Sequence, residues 1–379
     1  MYHILSHPVL NNYGGILQAY ALQQTLAKLK YDSKIIHYIP RCLLEFRKRH
    51  AKRLILRDVV SIIRYLFNKT ASYFPYYFHP WLFWKFRFSS LKTVKLHNNR
   101  SNLDKIASKS PFIVGSDQVW RYSQTEHLED LPFFFLSFAD KTLRKRSIAY
   151  AASFGTDTWE APADVTKKCA MLAKDFKAIS VREHSGISIC KEILGVEAVQ
   201  MPDPTLLLNI EDYNKLIQSR KTSHPGAPYL AAYLLDKKEE QEKLLNQTAE
   251  ALGLKLQHLT SYVTDAPPSD RFPISIQQWL RYIRDAEFLI TDSFHGCVFA
   301  LIFNKPFVCL GNHGRGSARF DSLLKTFQLE NRLLASSSVQ DIVNSLKRPI
   351  NWSWVNDKKN KESERGRVFL QKNLETALP

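Results

Sequence analysis

An α/β architecture of two lobes, with a cleft between them, is what this sequence predicts, and three observations carry the prediction. Short apolar runs alternate with amphipathic stretches almost from end to end, the pattern of parallel strands joined by helices. At 379 residues the chain is too long for one ordinary compact domain. The alternation also starts afresh after about residue 206. Two Rossmann-like lobes follow: one over 1–205, interrupted by a basic and aromatic insertion at about 41–105, and one over 206–350. A C-terminal helical segment over 351–379 is placed to cross back to the first lobe.

Each element has its own signal. Tyr2 to Ser6 reads as a strand, and Asn11-Asn12-Tyr13-Gly14-Gly15 as the loop after it. Ile16 to Leu29 has helical periodicity, and Lys34 to Ile39 is a second strand. The insertion then reads as several helices. Phe112-Ile113-Val114 is a strand stopped by Gly115-Ser116-Asp117-Gln118, and Ser147 to Ser153 another, stopped at Gly155. A helix over 163–176 leads to the strand Ala178 to Val181. Arg182-Glu183-His184-Ser185-Gly186, a helix to Leu194 and the strand Ala198 to Met201 complete the first lobe.

In the second lobe, Tyr229 to Leu235 and Leu254 to Leu259 read as strands around a helix from Lys238 to Leu252. A helix over 275–285 follows. Phe288-Leu289-Ile290 is then a buried strand that ends in Thr291-Asp292-Ser293, with Gly296 opening an apolar helix. Asn304-Lys305-Pro306 stops that helix before the strand Phe307 to Leu310. Phe320 to Phe327, Val339 to Leu346 and a charged stretch over 357–376 read as helices.

A hydrophobic fraction of 45% allows real cores, and no run is long enough for a membrane-spanning helix. The five cysteines lack paired metal-ligand spacing, which favours reduced, buried thiols, and no obligatory metal is expected. With no signal-peptide pattern at Met1-Tyr2-His3-Ile4, a cytoplasmic location is the expectation. The net charge of +17 is concentrated: residues 41–100 hold fourteen Lys and Arg against Glu45 and Asp58. Twelve aromatics lie between Tyr65 and Phe88 in the same stretch. Such a mixture suits an anionic lipid surface, single-stranded nucleic acid, or helices that bury their rings and leave the cations in water. No nucleic-acid-binding motif accompanies it, so nucleic acid is not the expected partner.

Ligands of open α/β sheets bind beyond the carboxyl ends of the strands, so polar residues there are the site candidates. His295 sits at a strand-to-helix crossover, beside N–H groups that attract anions, and can equally be a cap or a packing residue. Gly14 and Gly15 let backbone approach a ligand, yet a plain turn explains them too, and no Walker or dinucleotide spacing is present. Asp117 suits a base, a hydroxyl acceptor or a helix cap. Arg182 suits an anion or an ion pair with Glu183. Arg315 and Arg319, ahead of an amphipathic helix, form a candidate anion clamp.

Taken in order, several of these strings resemble the polysaccharide pyruvyl transferase family. The matching blocks are Asn11 to Gly15, Gly115 to Trp120, Tyr150 to Gly155, Arg182 to Gly186, Asp203 to Leu207, Thr291 to Gly296 and Arg319 to Leu324. The resemblance reaches about residue 333 and is weakest across 41–105. It implies a two-lobed GT-B-like fold and transfer of the pyruvyl group of phosphoenolpyruvate to a sugar, as a ketal on a surface glycan. It makes His295 the acid/base candidate, with Arg182 and Arg319 as ligands of the donor's anionic groups and Arg315 a weaker choice. Asn12, Tyr13, Gly14, Gly15, Ser116, Ser293 and Gly296 join the expected binding set, and Asp117 the catalytic one. The expected partners are phosphoenolpyruvate, as donor rather than cofactor, and a lipid-linked sugar at the inner membrane face. The 41–100 stretch would lie near that acceptor and supply peripheral membrane contact. The alternatives are a GT-B glycosyltransferase with a nucleotide-sugar donor and a non-catalytic basic membrane-binding protein.

Overall fold

The computed structural model describes residues 1–7, 12–37, 85–87, 89–95, 110–125, 131–222, 226–235, 239–259, 274–311, 318–334 and 338–374. Two parallel sheets organise them. The first has seven strands: β1 (Tyr2–Leu5), β2 (Ser33–His37), β3 (Thr93–Lys95), β4 (Phe112–Val114), β5 (Ile148–Ala152), β6 (Ala178–Val181) and β7 (Val199–Gln200), in the order β3-β2-β1-β4-β5-β6-β7. The second has five: β8 (Tyr229–Tyr233), β9 (Lys255–His258), β10 (Phe288–Thr291), β11 (Phe307–Leu310) and β12 (Leu333–Leu334), in the order β12-β11-β10-β8-β9. Every pairing is parallel, as between Ile4 and Ile113 or Thr291 and Tyr233. Central strands such as β4, β5 and β8 are buried along their whole length, which is why they read as near-continuous apolar runs.

The principal helices are α1 (Tyr13–Lys28), α2 (Ala163–Ala173), α3 (Ser185–Ile189), α4 (Ile210–Gln218), α5 (Glu239–Leu252), α6 (Ile276–Asp285), α7 (Phe294–Ile302), α8 (Ala318–Thr326), α9 (Val339–Lys347) and α10 (Trp352–Asn373). Their ends follow local chemistry. Asn12 caps α1 by accepting the Gly15 N–H at 3.2 Å, and Ser275 caps α6 through Gln278 at 3.1 Å. α7 stops in a Schellman turn: Asn304 is left-handed at φ 53°, and the Lys305 N–H returns to the Ala300 carbonyl at 2.8 Å.

One hydrophobic core joins the lobes. Tyr13 of α1 stacks on Trp279 of α6, with centroids 5.3 Å apart, and its hydroxyl donates to the Ile274 carbonyl at 2.7 Å. Separate apolar clusters around Trp120 and Phe135 and around Ile290 and Ile342 pack the outer faces of the two sheets. Helix α10 packs on the first sheet's side of the molecule. Ser363 donates to the Leu207 carbonyl at 3.2 Å, Arg365 to that of Gln200 at 2.9 Å, and Phe369 meets Tyr150. A Cβ on Gly366 would lie 2.4 Å from both Leu207 and the Tyr150 hydroxyl, so only glycine lets α10 come this close.

Several expectations are corrected. Helix α1 begins at Tyr13, so Gly14 and Gly15 belong to its first turn and not to a loop. Helix α7 begins at Phe294, two residues before Gly296, and α10 begins at Trp352. Within the insertion read as helical, Thr93–Lys95 is an edge strand. Of the insertion only 85–87 and 89–95 are described, and there Phe86 is in the core and Arg87 is buried with Nη1 2.8 Å from His37 Nε2. Helix α4, the 3-10 turn Pro204–Leu207 and strand β12 were not read from the sequence.

Candidate active site between the lobes

The carboxyl ends of both sheets meet, and most of the singled-out residues meet with them. Asp203, just after β7, is the hub. Its Oδ2 accepts Arg182 Nη1 at 2.8 Å and the Ser116 hydroxyl at 2.9 Å, and His295 Nε2 lies 3.6 Å away. Its other oxygen accepts the backbone N–H and hydroxyl of Thr205 at 3.0 and 2.7 Å. Arg182 is therefore paired first with Asp203, while Glu183, the partner its sequence position suggested, stands 3.9 Å from Nε. Ser153 donates to Glu183 and holds that buried carboxylate in place.

The second lobe brings His295 in the first turn of α7, over the amino end of α1. A Cβ on Gly14 would lie 2.1 Å from His295 Nδ1, so glycine is the residue that admits the ring. One on Gly15 would sit 3.1 Å from Asp117 Oδ2, and one on Gly296 would overlap Thr291. Ser293, at the N-cap of α7, makes no capping side-chain bond, whereas Asn12 is exposed and engaged as the cap of α1. Two helix amino ends thus converge on the cleft, where their N–H groups favour an anion. Tyr13 is committed to the stacking described above. Arg315 lies outside the described residues.

Two guanidinium groups flank one ring. Arg182 Cζ lies 4.3 Å and Arg319 Cζ 6.0 Å from the Phe294 centroid, and both side chains are buried. Burial, and then the neighbouring Arg182, pull the Arg319 guanidinium down to about 10, still charged at neutral pH. For Arg182 burial acts downward too, but Asp203, Glu183 and Asp117 outweigh it and the net shift is upward. Burial pushes Asp117 and Asp203 up, yet the groups around them hold both below the usual carboxylate range: chiefly His7 and Arg182 for Asp117, His295 and Arg182 for Asp203. Arg182 Nη2 has no hydrogen-bond partner among the described residues. Beside it a void of about 20 Å³ lies between Arg182, Phe294 and Arg319, room for about one water. An open crevice of about 1130 Å³ between α3, α8 and α10 adjoins it, sharing Gln200, Ser322, Thr326 and Glu362.

Asp117 is the backbone outlier of the site, left-handed at φ 74°, a conformation a non-glycine residue holds only when its surroundings impose it. Its Oδ1 accepts the Gln118 N–H at 2.9 Å, and its carbonyl accepts the N–H of Val119 and Ser153. The residues that sequence reasoning did not single out are Ser6, His7, Gln18, Glu183, Phe294 and the hub Asp203. Ser6 donates to the Ser116 carbonyl at 3.0 Å, and Gln18 reaches Ser6 at 2.8 Å. Position just past a strand, the signal that marked Asp117 and Arg182, marks Ser6, His7 and Asp203 as well.

Two parallel-sheet lobes that meet at the carboxyl ends of their strands define a GT-B-type fold. Solved structures agree on the fold. The UDP-GlcNAc 2-epimerase from Methanocaldococcus jannaschii matches with a TM-score of 0.53 and 11% identity, over 98% of this chain and 99% of its own. That from Neisseria meningitidis bound to UDP-GlcNAc gives 0.52 and 10%, over 98% and 99%. The UDP-N-acetylglucosamine 2-epimerase from Rickettsia bellii gives 0.51 and 9%, over 98% and 95%. No curated protein matches the sequence significantly. The family model described as polysaccharide pyruvyl transferase matches residues 12–314, most of the chain, and the protein belongs to that family.

Proposed function

We propose that the protein transfers the pyruvyl group of phosphoenolpyruvate to two hydroxyls of one sugar in a surface polysaccharide precursor, forming a cyclic ketal and releasing phosphate. The observation that carries this reading is the meeting of two buried arginines with His295 at converging helix amino ends, in a chain of this family. Phosphoenolpyruvate carries a phosphate and a carboxylate on three carbons, and two guanidinium groups beside one ring match two anionic groups. The larger crevice offers the sugar room that the donor does not need.

In the reaction a proton is delivered to the methylene carbon, C3, and positive charge develops at C2. One sugar hydroxyl bonds to C2 and loses its proton. The C2–O bond to phosphate then breaks, with its electrons leaving on phosphate. A second hydroxyl of the same sugar closes the ring on C2 and loses its proton in turn. One proton thus stays on C3 and one leaves with phosphate. His295, oriented by Asp203, is the acid for C3, and Asp117 lies within electrostatic reach of it. Arg182 and Arg319 hold the donor and stabilise the departing phosphate.

Phosphoenolpyruvate is therefore expected to raise the melting temperature, since a ligand of the folded state alone stabilises it. Arg319→Ala should remove most of that shift. Arg182→Ala should do the same and also lower the unliganded melting temperature, because it strips Asp203 of its shortest charged contact. Protection by nucleotide sugars with none from phosphoenolpyruvate would favour the glycosyltransferase reading instead.

The basic, aromatic stretch over 41–100 supports peripheral attachment to the inner membrane face, where lipid-linked acceptors are exposed. Binding to anionic vesicles should weaken as salt rises, screening acting over about 8 Å at physiological ionic strength. Equal binding to neutral and anionic vesicles, or none to either, argues for a structural role of this stretch.

A further inference from the structure

Ketal formation removes two hydroxyl protons besides delivering one to C3, and a base distinct from the acid lets hydroxyl attack and C3 protonation proceed together. A second imidazole lies at the strand ends of the first sheet. His7 follows β1 at the same carboxyl edge that supplies Ser116, Asp117 and Arg182. Its ring packs edge-on against Phe134 at 5.7 Å, and the Gln118 backbone borders it. Its Nε2 is buried and has no hydrogen-bond partner among the described residues. The charged groups that face it are Asp117 and Arg182, and Asp117 in turn interacts with His7, Arg182 and His295. The left-handed backbone of Asp117 lies in the same turn as Gln118, so one strained loop positions the carboxylate and the backbone that borders the ring.

We propose that His7 is the catalytic base that takes the proton of the attacking sugar hydroxyl through Nε2, with Asp117 as its positioning carboxylate, while His295 delivers the proton to C3. The inference rests on the pyruvyl-transfer reading and adds a division of labour between two imidazoles, His295 beside Asp203 and His7 in the electrostatic field of Asp117. A base must be neutral before it acts. Burial, the largest influence on His7, pulls its proton affinity down against the opposing pull of Asp117 and the Gln118 contact, so the ring is uncharged at neutral pH. Nε2, buried and without a hydrogen-bond partner among the described residues, is the nitrogen left to meet a ligand.

The test compares His7→Gln, His7→Phe and Asp117→Asn with the unaltered protein, using phosphoenolpyruvate and the sugar of a free and polyprenyl-diphosphate-linked panel that takes up pyruvate. Both His7 variants should lose about 10²–10⁴-fold in turnover with donor protection retained, and the acid limb of the pH–rate profile should disappear. Normal turnover per folded molecule, an unchanged pH profile, or loss of phosphoenolpyruvate protection would each overturn the proposal. Nitrogen-15 shifts of the ligand-free protein decide it separately from the transfer assay. They should show a neutral His7 ring with unprotonated Nε2 at pH 7, and a protonated ring or the opposite tautomer would refute it even if no sugar in the panel reacts. A panel without any pyruvylated sugar, alongside the expected tautomer, would count against the pyruvyl-transfer reading and leave His7 as a base awaiting another hydroxyl.

Discussion

His295→Ala is expected to cut turnover by about 10²–10⁴-fold, the span a general acid or base usually contributes. The loss should fall on turnover far more than on phosphoenolpyruvate protection, because the arginines, and not the imidazole, carry the donor's charge. His295→Gln keeps a polar side chain beside Asp203 but moves no proton, so it should keep donor binding without restoring turnover. The fold should tolerate both changes. The ring meets Phe294 edge-on and faces a glycine, and Asp203 keeps its Arg182, Ser116 and Thr205 contacts without it. A loss confined to melting temperature, with normal turnover per folded molecule, would make His295 a packing residue.

Gly14→Ala is the second large effect. On helix propensity alone, alanine inside α1 should stabilise by up to about 1 kcal/mol. A Cβ 2.1 Å from His295 Nδ1 reverses that expectation, for either the ring must leave its place beside Asp203 or the lobes must part. Misplacing a catalytic group by about 1 Å can cost about 10²-fold, so turnover should fall by at least that factor. Melting temperature should fall too, since α1 belongs to the core shared by both lobes. Turnover and melting curves measured together check the account, and a Gly14→Ala protein that is more stable and fully active would contradict it.

The alternation of strand and helix was legible because both sheets are parallel and covered by helices, so their strands read as bare apolar runs. What escaped the sequence had tertiary causes. Gly14 and Gly15 look like loop residues, but they are small because His295 and Asp117 press on them from outside the helix. Thr93-Val94-Lys95 is too short to show a period, and its pairing with β2 alone makes it a strand. Helix α4 carries the capping box of Asn209 and Asp212, a readable start signal that its short, polar body obscured. At the site, position past a strand end pointed to His295, Asp117, Arg182 and Ser116. Arg319 was found as half of a basic pair whose other half, Arg315, lies outside the described residues. Asp203 caps the turn Pro204–Leu207, and its role as the meeting point of Arg182, Ser116 and His295 exists only once β4, β6, β7 and α7 are assembled.

The central claim is pyruvyl transfer from phosphoenolpyruvate, and mass spectrometry of the acceptor tests it most directly. A panel of free and polyprenyl-diphosphate-linked sugars is incubated with the protein and phosphoenolpyruvate, and phosphate release is followed in parallel. At least one sugar should gain the mass of one pyruvate less one water, with one phosphate released per addition and neither change in the His295→Ala protein. Transfer of a glycosyl unit from a nucleotide sugar, with no pyruvate added to any acceptor, would contradict the account.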